Sequence, residues 1–219
     1  MPERLLNLLY VIPGVIIALS FHEWGHAFAA YKMGDPTARN LGRLTLNPLA
    51  HIDPMGFLMM VIVGFGWAKP VPVNPNNYRN YKAGELVVSL AGVTMNLILA
   101  IIGTIAFSLL LKVTVSGTIE VSGAWTTGMS ILNSFIFLNL CLLVFNLLPV
   151  YPLDGFHVAE VLLSKVLGPK PFMFMKNYGQ YILIGILLLG RFSSFSPIGY
   201  VAEWLHGGLL RIFCSLFGV

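Results

Sequence analysis

The stretch LLNLLYVIPGVIIALSFHEWGHAFAAY, residues 5–31, is apolar enough to cross a bilayer, yet it carries His22, Glu23 and His26 towards its end. Roughly 20 apolar residues span a hydrocarbon core of about 30 Å. On a helix, side chains four positions apart share a face, so both imidazoles can reach a single ion while Glu23 flanks it. Ionisable groups are costly inside a membrane span, which makes function the default reading of His22-Glu23-Trp24-Gly25-His26. Pro13-Gly14 predicts a kink earlier in the same helix.

The remaining sequence agrees with a membrane location. Of 219 residues, 57% are hydrophobic and 10% charged, with a mean hydropathy of +0.81, which excludes an ordinary soluble globular domain. Further candidate spans fall at about 85–111, 126–148, 173–190 and 197–217. A shorter apolar run, 55–67, contains Gly64 and Gly66 and reads as re-entrant or as a short buried segment. Between 35 and 83, prolines are too dense for helix. There, alternating pieces at Gly42–Leu46 and Pro70–Val73 suit either a small interfacial sheet or an irregular connector. A sheet edge at that point would offer backbone groups to an extended peptide.

The expected fold is therefore an all-α polytopic membrane protein. It has about five to six transmembrane helices, a short re-entrant segment and a small interfacial β element. No repeat, charge run or low-complexity linker divides residues 1–219, which read as a single domain without an appended soluble module. A cleaved leader is disfavoured because the apolar run continues past Ser20 to Tyr31. Cys141 and Cys214 lie in apolar spans and read as buried free thiols.

The net charge is +4, and its distribution is more informative than its size. Lys32, Arg39 and Arg43 follow the first span; Lys69, Arg79 and Lys82 precede the second; Lys165, Lys170 and Lys176 follow the third; only Lys112 lies in 112–125. By the positive-inside rule the first three groups face the cytoplasm. At 1.5 Å per residue, His26 and His22 lie roughly 9 and 15 Å before Lys32. The histidine site is then within the lipid layer but near its cytoplasmic face. Scattered over several loops without interleaved aromatics, these basic residues do not make a nucleic-acid surface.

A catalytic zinc commonly takes three protein ligands, two His and a carboxylate among the standard sets. His22 and His26 supply two of them. Asp154 is the best third, being the only acidic residue between Glu120 and Glu160 and lying where Pro149, Pro152 and Gly155 break a helix. Asp35 and Asp53 compete weakly from the loops, and a helix-capping role for Asp154 is the structural alternative. With one Zn2+ so held, Glu23 would act as general base on water at the zinc and return the proton to a leaving amine. Asn96 reads as a helix-to-helix hydrogen-bonding residue or a substrate contact. Asn146 reads as a cap on the broken helix or a group binding substrate backbone or oxyanion. His157 reads as interfacial, His51 and His206 as solvated.

These residues resemble the site-2 protease family of intramembrane zinc metalloproteases. Phe21–His26 is similar to the family's first motif and Asn146–Gly155 to its second, the Leu-Asp-Gly type. Ala91–Asn96 is similar to an Ala-Gly-Pro-x-x-Asn stretch, with Val93 where the family has proline. The resemblance implies zinc held by His22, His26 and Asp154, Glu23 as catalytic glutamate, and cleavage of a transmembrane or membrane-proximal peptide in a membrane protein substrate. It suggests a multi-pass protein of a bacterial or archaeal cell membrane. The rival readings are a metal-ion transporter and an inactive membrane scaffold.

Overall fold

A computed structural model describes residues 3–63, 66–192 and 196–219; Gly64, singled out in the re-entrant run, lies outside them. The helices in chain order are α1 (Glu3–Met33), α2 (Thr37–Asn40), α3 (Pro54–Val63), α4 (Tyr81–Val115), α5 (Gly123–Asn146), α6 (Asp154–Leu167), α7 (Lys170–Phe192) and α8 (Pro197–Phe217). The fold is all-α. Three of these, α4, α5 and the Lys170–Gly190 portion of α7, are long and apolar enough to cross a membrane among the described residues. With 31 and 21 residues, α1 and α8 also have span length. Their apolar runs are interrupted by His22, Glu23 and His26 in one and by Glu203, His206 and Arg211 in the other.

Side-chain oxygens start several helices where the first backbone N–H groups lack partners. Asn80 accepts from the Ala83 N–H, Ser122 from that of Trp125 and Ser196 from that of Gly199. Between helices, small residues allow the backbones to come close, as membrane packing requires. Ala18, Ala27 and Ala30 of α1 are fully buried. A methyl group at Gly25 would lie 2.9 Å from the Ala91 carbonyl oxygen, so α1 and α4 meet there with no space for a side chain. Farther along, α4, α5 and α8 share a core of Ala100, Ile136, Leu140 and Ala202. Helix α6 lies across α4, and Lys176 of α7 reaches back to Glu160 of α6 at 2.6 Å.

The expected β element is not present as a strand. Among the described residues there is one isolated antiparallel bridge, Ile52 to Ala68. The physical reason is the proline content: Pro70, Pro72 and Pro75 have no N–H to give a ladder. What the bridge does is close the apolar run on itself. Ten residues of α3 advance only about 15 Å, half a hydrocarbon core, before the chain returns. The return is close because Gly56 and Gly66 face each other's stretch: a Cβ on Gly56 would lie 2.2 Å from the Trp67 carbonyl oxygen.

A second close return joins α5 to α6. The Val150 N–H donates to the Leu148 carbonyl at 2.8 Å and the Leu153 N–H to that of Val150 at 2.9 Å, so these two N–H groups of the Pro149–Pro152 break are bonded locally. A Cβ at Gly155 would sit 2.2 Å from the Leu147 carbonyl oxygen. Only glycine lets the first turn of α6 fold back against the end of α5. That fold places Asp154 beside α1.

Candidate metal centre

His22 and His26 leave the same face of α1, and each ring is oriented through Nδ1. The Nδ1 of His22 is 2.8 Å from Asn96 Oδ1, and that of His26 is 2.8 Å from the Val88 carbonyl oxygen, both partners on α4. Each partner oxygen can only accept, so both Nδ1 atoms carry a hydrogen and, in the neutral rings, both Nε2 atoms are the acceptors. Asn96 is held in turn. It is fully buried, and its amide donates to Asn139 Oδ1 at 3.1 Å and to the Ala18 carbonyl at 3.4 Å, while Asn139 donates to Phe135 within α5.

The two Nε2 atoms are 3.0 Å apart, and Asp154 Oδ2 is 3.5 Å from the first and 3.4 Å from the second. That oxygen is buried and has no hydrogen-bond partner. Three acceptors thus face one another, all within 4.8 Å. Such a group is repulsive unless a cation lies among them. Bonds of about 2.0–2.1 Å in a tetrahedral site put ligand atoms about 3.3 Å apart, close to the separations found. The donor set, two imidazole nitrogens and one carboxylate oxygen, therefore fits a zinc ion. Gly92 of α4 roofs the cluster: a Cβ there would lie 2.4 Å from His26 Nε2 and 2.7 Å from His22 Nε2.

Asp154 opens α6, but its side chain does not cap it; the cap position is Leu153, without a side-chain hydrogen bond. Glu23, one residue beyond His22, is not among the three converging groups. Its Oε2 accepts the Val71 N–H at 2.7 Å, in a buried contact with the proline-rich segment.

The model for peptidase family M50 matches residues 10–190. The chain belongs to that family, the site-2 protease family. It is similar to "Putative zinc metalloprotease YwhC" of Bacillus subtilis, 38% identical over 95% of this chain and 92% of the relative. It is also similar to "Putative zinc metalloprotease Rip2" of Mycolicibacterium smegmatis, 32% identical over 95% of this chain and 82% of that protein. The Mycobacterium tuberculosis (strain H37Rv) protein of the same name is 33% identical over 94% and 72%. No solved structure matches the chain. As an M50 member it is a membrane metalloprotease.

The expected site residues divide into those that meet and those that do not. His22, His26 and Asp154 converge, and Asn96 stands directly behind His22. Asn146 is half-buried at the end of α5 and donates to the Leu142 carbonyl of its own helix at 3.0 Å. Asp35 and Asp53 stay out of the cluster: Asp35 gathers loop N–H groups and Asp53 caps Gly56 at 2.7 Å. The reading of His51 as solvated is corrected, since it is 1% exposed and its Nε2 lies 2.7 Å from the Thr45 carbonyl. Sequence reasoning missed Asn139 and Val71, and met Gly92 only as part of the Ala91–Asn96 stretch. Asn139 had a signal, an amide side chain in mid-span; a backbone N–H leaves none.

Proposed function

We propose that this M50 peptidase is an intramembrane zinc endopeptidase, cutting a peptide bond in or near a transmembrane segment of another membrane protein. The observation that carries the reading is the convergence of His22 Nε2, His26 Nε2 and Asp154 Oδ2, with the carboxylate oxygen buried and without a hydrogen-bond partner. These three hold one zinc ion. When bound, zinc polarises a carbonyl and brings the pKa of water down towards about 7.

The chain's own groups supply the rest. Glu23, with one oxygen on the Val71 N–H, takes a proton from the attacking water and passes it to the departing amine. Asn96 keeps His22 in the tautomer whose Nε2 is free. Asn146 has its amide on Leu142 and offers its Oδ1 to a substrate N–H.

An apolar cavity of about 710 Å³ lies between α1, α3, α5 and α8, lined by Leu19, Phe57, Trp67, Leu138, Phe145 and Ile198 among others. It suits an apolar segment. An intact helix hides its amides in intramolecular bonds, so the substrate must unwind locally before it is cut. Five spans, α1, α4, α5, α7 and α8, with the α3 hairpin dipping part-way, put the basic end of α1 on the cytoplasmic side of a bacterial or archaeal cell membrane. The single domain needs no appended module for the chemistry.

Replacing Glu23 with Gln tests the assignment. The purified variant should keep its zinc, measured by atomic emission, and lose cleavage of a transmembrane reporter peptide by about 100-fold or more, the scale at which a general base acts. Normal cleavage by the zinc-loaded variant would remove the mechanism.

A further inference from the structure

The Pro70-Val71-Pro72 tripeptide has a single backbone donor, because proline has no N–H. That donor is the Val71 N–H, and it goes to Glu23. The flanking prolines also stiffen the segment in an extended form. The tripeptide is tied at both ends. Before it, the Lys69 N–H donates to the His51 carbonyl at 2.8 Å, and the Lys69 carbonyl accepts from Arg43 Nη2 at 2.7 Å. After it, the Asn74 N–H donates to Asp35 Oδ2 at 2.7 Å.

Asp35 is fully buried just beyond the end of α1, and everything it accepts belongs to this connector. Its Oδ1 takes the Asn77 side-chain amide at 2.7 Å, the Thr37 N–H at 3.1 Å and the Thr37 hydroxyl. The Val71 side chain completes the seat by packing against Ala27 of α1 and Ala38 of α2. Ala27 follows Glu23 by four residues, so strap and carboxylate lie along the same side of α1.

The geometry points to Lys69–Asn74 as a positioning strap for Glu23, with Asp35 as the anchor that holds the Val71 N–H against its carboxylate. One carboxylate oxygen is fixed by the strap and the other is left for the proton that the reaction moves. Asp35 and Val71 act through Glu23 and touch no reacting atom. Their role rests on the reading of Glu23 as general base, but the hydrogen bond can be observed without any peptidase assay. The arrangement also accounts for the proline spacing: a second donor beside Val71 could draw the carboxylate to another position.

The experiment uses the full-length, zinc-loaded protein and reads hydrogen exchange at the Val71 amide by mass spectrometry with overlapping peptides. In the wild type this amide should exchange slowly. In Asp35→Asn, which cannot accept all four donors, it should exchange at least about 10-fold faster. The same variant should lose kcat by about 10- to 100-fold, with KM within about two-fold and zinc stoichiometry unchanged. Asp53→Asn, altered in the neighbouring turn, should change neither exchange nor kcat. Val71→Pro removes the donor alone and should lower kcat in the same way; if it does not fold, the Asp35→Asn exchange decides. Free-peptide exchange at Val71 in the wild type, or full kcat in a folded, zinc-loaded Val71→Pro protein, would overturn the proposal. Retained activity in Glu23→Gln would instead remove the peptidase mechanism and leave the exchange result standing.

Discussion

The helix bundle and the connector between α1 and α4 are ordered by different means. In the bundle, apolar side chains and small residues do the packing, and polar contacts are few and concentrated: Asn139 to Asn96 to His22 runs across α5, α4 and α1. In the connector, side-chain oxygens take backbone N–H groups at almost every turn, with Asp35, Asn47, Asp53, Asn74 and Asn80 each serving a near neighbour or a loop. The bundle concentrates its polar consequences at one point, whereas the connector spreads them. Substitutions of similar size should therefore have very unequal effects in the two regions.

The largest effect is expected at Asp154. Asp154→Ala removes one of three converging acceptors and should abolish zinc binding and cleavage together, with the helical content retained by circular dichroism. Unchanged zinc stoichiometry would reassign the third ligand. Next comes Asn96→Ala, which leaves the His22 Nδ1–H without its acceptor in the middle of the bundle. Zinc affinity, measured by chelator competition, should fall by about 10- to 100-fold, as for other residues that orient a ligating histidine.

A smaller effect, of another kind, comes from acid acting on the connector. Burial pushes the Asp35 carboxyl up, but the Asn74 N–H, the Asn77 amide and Thr37 outweigh it and hold its pKa below the ordinary 3.8. A depressed carboxyl stabilises the fold fully above its unfolded value, and this contribution drains away as pH falls through the folded one. Thermal unfolding followed below pH 4 should lose stability more gradually in Asp35→Asn than in the wild type. The smallest effect is expected for Asn80→Ala, the same type of change as at Asn96 but at an exposed cap of α4. It should cost about 1 kcal/mol in unfolding free energy and leave zinc affinity alone. Equal losses at Asn80 and Asn96 would erase the contrast between the two regions.

Legibility in the sequence followed the same division. The bundle has a period: His22 and His26 four apart in an apolar run, and Asp154 at a proline-broken helix end, were readable as one site because ligands must share a face or lie at a break. Gly92, which works by lacking a side chain beside the histidines, entered the sequence reading only as part of the Ala91–Asn96 stretch. The connector's alternation at Gly42–Leu46 and Pro70–Val73 suggested strands, but alternation counts side chains and takes no account of donors. With prolines at 70, 72 and 75, the few N–H groups remaining went to carboxylates instead of a neighbouring strand.

The Asn139–Asn96–His22 chain links the docking of three helices to the orientation of one ring. If α5 drifts from α4, Asn96 loses its brace and His22 can rotate, so expulsion of the ion and loosening of the bundle become a single equilibrium viewed from two ends. A chelator should then act as a mild denaturant of this protein, and any lipid or ligand that spreads these helices should act as a weak chelator.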